Sequence, residues 1–184
     1  MGWSYCSAMP LLTALLQAEL RLFAWLFRNG ERYLLIEPAR AVSHSGNGYL
    51  HVLIPLLLIL MGVDEVGNLI LAIALAIAIE RPLYWVLKNS LRRRRPAQFV
   101  PGFRSIIVAS DRFSFPSGHS SASFLLVTCL CVVYGGAAAP MLVWCSAVGI
   151  SRVLLGVHFP GDILAGAAMG TSVALFASSV LGLY

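Results

Sequence analysis

Charge is scarce in this chain. Only 11% of its 184 residues are charged, against about 25% in ordinary soluble domains, and 59% are hydrophobic. Mean hydropathy is +0.82. A soluble domain of this size cannot hide so much apolar surface, so lipid is the expected solvent. Acidic residues number eight, with no cluster suited to a metal ion. Cysteine is confined to Cys6, Cys129, Cys131 and Cys145. None stands at metal-ligand spacing with a histidine and three lie in apolar runs, so they read as small apolar fillers. The N-terminus lacks a basic leading region, and Glu19 and Arg21 interrupt its apolar run, which argues against a cleavable signal. No internal repeat or low-complexity tract is visible. The length suits one compact bundle rather than two domains.

What charge there is falls unevenly. The net charge is +5, and residues 88–95, KNSLRRRR, hold five of the thirteen basic residues. Such a block beside an apolar span sets orientation or attracts anionic headgroups. No separate basic domain exists to bind nucleic acid.

Five apolar runs follow one another, at 49–63, 66–87, 119–134, 138–155 and 160–183. About 20 residues cross the hydrocarbon core as a helix, so these predict five spans. Val63-Asp64-Glu65 predicts a tight hairpin turn, and Gly135-Gly136 with Pro140 predicts another. The segment 10–28 is marginal. Its seven Leu and two Phe contribute roughly −4 kcal/mol to insertion, while Glu19 and Arg21 cost roughly +5 to +7 kcal/mol. It either spans with its polar stripe (Thr13, Gln17, Arg21, Arg28) facing the bundle, or lies in the interface. The expected fold is all-α, an integral membrane helical bundle. Residues 1–184 form one domain, with 1–48 as N-terminal helix and interfacial segment and 49–184 as core helices.

Alternation of the five runs brings three junctions to one face. The first runs from Lys88 to Pro96. Lys88 and Arg95 are two helical turns apart and are expected on one helix face, with the helix ending at Arg95 because Pro96 disfavours it there. Two cations there make an anion clamp, or merely flank a span. The second is Phe115-Pro116-Ser117-Gly118-His119-Ser120. Ser117 can cap a helix whose first N–H groups bind an anion, Gly118 lets that anion approach, and His119 can give a proton to a leaving oxygen. An ordinary cap with an interfacial histidine is the plainer alternative. The third carries Arg152, His158 and Asp162. A carboxylate that accepts an imidazole N–H fixes its tautomer and leaves the other nitrogen free to attack, although an isolated His-x3-Asp is weak evidence.

Taken together, Lys88-x6-Arg95-Pro96, Pro116-Ser117-Gly118-His119 and Ser151-Arg152-x5-His158-x3-Asp162 resemble the three signatures of the type-2 phosphatidic acid phosphatase (lipid phosphate phosphatase) superfamily. The resemblance implies a membrane phosphatase acting on a lipid phosphate or diphosphate, with His158 as nucleophile forming a phosphohistidine and Asp162 orienting it. His119 would be the general acid. Lys88, Arg95, Arg152, Ser117 and the Gly118 amide would bind phosphoryl oxygens. It further implies no metal, no cofactor and six transmembrane helices, which makes 10–28 the sixth. Polyprenyl diphosphate, phosphatidylglycerol phosphate, phosphatidic acid and lipid A phosphates are all open as substrates. The vanadium haloperoxidases share the motifs but are soluble and much larger. A catalytically inactive lipid-binding or lipid-moving protein would lack a catalytic residue, and none is missing here.

Weaker features are read plainly. Ser43–Gly48, at the start of a span on the active face, either lines the substrate entrance or is a plain glycine-rich turn, and His44 and His51 are interfacial. Glu80 is an intramembrane carboxylate, either functional or paired with a polar residue of another helix. Arg92, Arg93 and Arg94 are assigned to headgroups or solvent, which implies little effect of losing Arg93. The expected location is the inner membrane. The resemblance faces the site outward, whereas the basic loop around Arg92–Arg94, Arg104 and Arg112 argues for the cytoplasmic side.

Overall fold

The structure, a computed structural model, describes residues 10–30 and 33–184, with side chains placed for 13–28 and 35–184. Cys6 and Arg32 lie outside the described residues. Every regular element among those described is helical: α1 (Pro10–Gly30), α2 (Tyr33–Ser45), α3 (Leu50–Leu60), α4 (Val66–Leu91), α5 (Pro96–Phe99), α6 (Gly118–Tyr134), α7 (Met141–Leu154) and α8 (Pro160–Val180), with a 3-10 turn at Gly135–Ala138. Three segments are long and apolar enough to cross a bilayer: Val66–Phe99, Gly118–Ala138 and Pro160–Val180. The helices α3 and α7 are apolar but shorter.

The core is a three-helix contact of α4, α6 and α8. Leu69, Ala72, Ile73 and Ala76 of α4 meet Leu125, Leu126, Cys129 and Leu130 of α6 and Val173, Ala174 and Ala177 of α8. The pair α6–α8 is the closest, and glycine is the reason. A Cβ on Gly170 would stand 2.1 Å from the Ser121 carbonyl oxygen, and one on Gly166 would stand 2.4 Å from that of Ser117. This is the small-residue crossing that lets membrane helices approach at backbone distance. Outside this core Leu60, Trp85, Val143, Leu164 and Phe176 are exposed, as an apolar solvent permits.

A second cluster docks α1. Phe23 and Phe27 are buried against Phe103, Val153 and Phe159, with ring centroids 4.6–5.4 Å apart and edge-on. The predicted hairpin turn at 63–65 is present: Gly62 and Glu65 take positive φ between α3 and α4.

One expectation fails. The helix after Lys88 does not continue to Arg95. It stops at Leu91, Arg92 turns left-handed with φ 47° and its N–H returns to the Lys88 carbonyl. A helix carried on to Arg95 would set Arg92 one turn from both Lys88 and Arg95, and like charges at that spacing are destabilising. Arg95, extended before Pro96, instead opens α5. Lys88 and Arg95 therefore do not share a helix face; a turn of the chain brings them together.

Candidate active site

The three junctions do converge. A cavity of about 620 Å³ is lined by Asn47, Tyr84, Asp111, His119, Arg152 and His158, among others. Lys88, Arg95, Arg152, Ser117, His158 and Asp162 are all buried around it.

Each side chain is set by its element. Pro160 starts α8 and Asp162 lies in its first turn. There Asp162 Oδ2 accepts the Phe159 N–H at 2.8 Å and stands 3.5 Å from His158 Nδ1. That separation is at the outer limit of hydrogen bonding, and Nδ1 has no other partner among the described residues. Nε2 is the nitrogen left for chemistry. Burial lowers the His158 pKa to about 4; the Asp162 carboxylate pulls upward while Arg95 and Arg152 push further down. The imidazole is therefore neutral at neutral pH, as a nucleophile must be.

Ser117 caps α6 as expected, accepting the Ser120 N–H at 3.4 Å. Its own N–H donates to the Asp162 carbonyl at 3.0 Å, which ties the cap of α6 to the start of α8. A Cβ on Gly118 would stand 3.1 Å from the Tyr84 hydroxyl. His119 Nε2 lies 2.7 Å from Asn47 Oδ1, in the turn between α2 and α3.

The cations are held individually. Arg152 Nη1 donates to Ser43 Oγ at 2.7 Å, while its Nε is buried without a protein acceptor. Arg95 donates to the Val157 carbonyl at 2.5 Å and to the Asp111 carbonyl at 3.0 Å, and pairs with the Asp111 carboxylate. Lys88 Nζ sits 2.5 Å from Asp111 Oδ2 and donates to Tyr84 Oη at 2.5 Å and to the Pro116 carbonyl at 3.3 Å.

Asp111 and Tyr84 were missed in the sequence. Tyr84 donates to Asp111 at 2.6 Å. Burial alone would raise the Asp111 carboxyl, but hydrogen bonds from Lys88 and Tyr84 and the charges of Lys88 and Arg95 outweigh it and hold the pKa at about 2. Asp111 is a permanent anion on two of the groups expected to bind phosphate. The signal was available: Asp111 is the only carboxylate between Pro96 and Gly118, in a segment that otherwise carries arginines.

Other residues resolve as follows. Glu80 is fully buried and accepts from Ser121 of α6 at 2.6 Å and from its neighbour Arg81. The helix-to-helix pairing is thus the observed arrangement. His44 is exposed, whereas His51 lines the cavity and bonds to the Ala122 carbonyl at 3.1 Å. Arg93 faces neither headgroups nor solvent alone: it reaches Asp162 at 2.7 Å. No three His, Cys, Asp or Glu side chains gather as a metal-ligand set among the described residues.

The chain is 28% identical over 150 residues to decaprenylphosphoryl-5-phosphoribose phosphatase of Mycobacterium tuberculosis, covering 80% of this chain and 81% of that one. It is 33% identical over 102 residues to the lipid A 1-phosphatase of Rhizobium johnstonii, covering 52% of this chain and 41% of that protein. Among solved structures, LpxE of Aquifex aeolicus superposes with a TM-score of 0.74 at 25% identity, covering 87% of this chain and 94% of its own. The PAP2-type phosphatidylglycerolphosphate phosphatase of Bacillus subtilis shares the fold, with a TM-score of 0.70 at 23% identity over 92% of this chain and 87% of its own. The family model of the PAP2 superfamily matches residues 65–182, which contain all three motifs, and the chain belongs to that superfamily of membrane phosphatases.

Proposed function

We propose that the protein hydrolyses the phosphomonoester or diphosphate of a membrane lipid through a phosphohistidine. The observation that carries this reading is the placement of His158 and His119 on one cavity, with Lys88, Arg95 and Arg152 buried beside it. The phosphoryl group displaces the Asp111 carboxylate from Lys88 and Arg95, and Arg152 Nε and the amides at the start of α6 take its remaining oxygens. Nε2 of His158 attacks phosphorus, Asp162 takes up the positive charge on the ring, and the P–O bond to the lipid breaks. His119 gives its proton to the leaving oxygen. A water molecule, deprotonated by His119, then cleaves the P–N bond and releases phosphate. Cations fixed before the substrate arrives suit a reaction that is mostly positioning and charge stabilisation.

Six crossings follow if α1, α3 and α7 join the three long spans. Pairing of Glu19 with Arg93 supports the first, because a paired carboxylate costs less to insert. We place the site on the outward face of the inner membrane because its arginines are there for the substrate and so are poor witnesses to orientation. A lipid-binding protein without turnover is the alternative. The test is phosphate release by purified protein from polyprenyl diphosphate, phosphatidylglycerol phosphate, phosphatidic acid and lipid A, with a chelator present. Release from at least one, abolished in His158→Ala, is expected; no release from any supports the non-enzymatic reading.

A further inference from the structure

Asp162 is held from both sides. Its Oδ2 faces His158 Nδ1, and its Oδ1 accepts Arg93 Nη1 at 2.7 Å. The other arm of the guanidinium, Nη2, pairs with Glu19 Oε2 of α1. The second Glu19 oxygen, Oε1, accepts the Gly161 N–H at 2.9 Å, one residue before Asp162. The approach is close enough that a Cβ on Gly161 would stand 2.5 Å from Glu19 Oε1. Arg93 is anchored further by its guanidinium 4.5 Å over the Phe159 ring and by its carbonyl, which accepts the Ser114 N–H at 2.9 Å.

We infer that Glu19 and Arg93 are positioning residues: they hold the Asp162 carboxylate in the plane that presents Oδ2 to His158. The inference rests on the phosphatase reading of His158. The geometry leaves the carboxylate one free choice, rotation about its Cβ–Cγ bond. The Phe159 N–H fixes Oδ2 and Arg93 fixes Oδ1, so rotation is blocked. With Arg93 gone, one oxygen of a fully buried carboxylate loses its donor, and such a group turns to find another. The ring it orients turns with it. The guanidinium of Arg93 is taken up by Asp162, Glu19 and the Phe159 ring, so its reach to the cavity is through Asp162. The relay also gives α1 a purpose: its one carboxylate reaches a site made otherwise by α4, α6, α7, α8 and their flanking loops.

The test is steady-state kinetics on Arg93→Ala, Arg93→Lys, Glu19→Gln and the double variant Glu19→Gln/Arg93→Ala, each checked for folding by thermal unfolding in detergent. Arg93→Ala should lose up to about 100-fold in kcat with KM unchanged, the order of loss when a reacting group is misplaced by about 1 Å. Arg93→Lys should recover part of it. The double variant should be no slower than Arg93→Ala alone, because the two act in series. A normal kcat in Arg93→Ala, or equal changes in kcat and KM with loss of unfolding temperature, overturns the inference while a dead His158→Ala keeps the phosphatase reading intact. Full activity in His158→Ala overturns both.

A second inference comes from Arg81 and also rests on the phosphatase reading. Arg81 lines the same cavity as His158 but lies seven residues, about 10 Å, further into the bilayer along α4 than Lys88. Its side chain is 49% exposed, and its Cζ lies 4.8 Å from the centroid of the Tyr84 ring, on which Lys88 Nζ also sits at 4.5 Å. Bonds to Glu80 use Nε and Nη2, which leaves the Nη1 edge for a ligand. One turn deeper the lining is apolar, with Ile77 and Leu125. Arg81 thus stands between the phosphoryl site and the apolar wall. We infer that it binds a second anionic group of the substrate, set between the terminal phosphate and the lipid tail. The test compares kcat/KM for phosphatidylglycerol phosphate and phosphatidic acid, which differ in such a group. The unsubstituted protein should prefer the first, and Arg81→Gln should shrink the preference about tenfold, the worth of one charge-assisted hydrogen bond. Glu80→Gln/Arg81→Gln, which leaves no unpaired buried carboxylate, should do the same. An unchanged ratio overturns the subsite while any turnover preserves the phosphatase reading; no turnover of any lipid phosphate overturns both.

Discussion

Asn47 Oδ1 lies 2.7 Å from His119 Nε2, and the Asn47 amide nitrogen lies 2.9 Å from His44 Nδ1. The second contact turns the amide so that its oxygen meets the imidazole. The turn between α2 and α3 thus holds the ring of a histidine on α6 in place. Replacement of Asn47 by Ala should lower kcat about tenfold, the range for misplacing a general acid without removing it. Stopped-flow turnover of a lipid phosphate checks this, and Asn47→Asp should behave differently because a carboxylate stabilises the protonated ring.

The two histidines should be far less tolerant. His158→Ala and His119→Ala should each remove nearly all turnover while unfolding normally, and Asp162→Asn should leave a small residue of activity. Acid-labile, base-stable incorporation of labelled phosphate into the protein should vanish in His158→Ala and accumulate in His119→Ala with a substrate whose leaving group needs no proton.

The pH profile should carry the burial of His158. Its pKa is lowered to about 4. The neutral, attacking form therefore persists well below pH 6.5, and the part of the acid limb that belongs to His158 falls at about 4. Arg152 is one of the charges that hold this value down. Its replacement by Gln should move the acid limb of kcat/KM upward. The substrate's own second ionisation, near pH 6, adds a limb that stays put. Only a limb that moves with Arg152 belongs to His158; a limb that moves downward contradicts the assignment.

The contact of α6 with α8 should be sensitive to a single methyl group. Gly170→Ala places a carbon against the Ser121 carbonyl, and overpacking of this kind costs about 1–3 kcal/mol. Unfolding temperature in detergent should fall, and activity should fall with it because Ser117 and Asp162 are joined across the same crossing.

Orientation is tested with single cysteines at Ser110 and Gly135 in a background lacking Cys6, Cys129, Cys131 and Cys145. An impermeant thiol reagent on intact cells should label the first and spare the second. The reverse pattern places the site in the cytoplasm.

The sequence made the helices and the motif residues legible for different reasons. Apolar runs predicted α3, α4, α6, α7 and α8 because lipid demands them, and fixed spacings exposed Lys88, Arg95, His119, Arg152, His158 and Asp162. Pairings across the bundle were not legible. Glu19 and Arg93 are 74 residues apart, and Asn47 and His119 are 72 apart. No local pattern links such residues; only packing of α1 on Phe103 and Phe159 brings the first pair together. Arg93 was hidden in a run of four arginines that looked interchangeable. The helix end expected at Arg95 rested on Pro96, the first strong helix stop after Lys88, whereas the break comes earlier, where Arg92 turns left-handed.

The two short helices have a mechanical consequence. At 1.5 Å per residue, the 11 residues of α3 cover about 16 Å and the 14 of α7 about 21 Å, against roughly 30 Å of hydrocarbon. The 26 residues of α4 cover about 39 Å. If α3 and α7 span as proposed, a bilayer of even thickness cannot match all three and should thin where the short helices meet it. The wall formed by α3 includes Val52, which lines the cavity beside Asn47 and Tyr49. Headgroups on that side should then sit nearer His119 and the buried His158, and a substrate travels less of the distance itself. Turnover should then rise in bilayers of shorter acyl chains, with the membrane acting as part of the catalyst's shape.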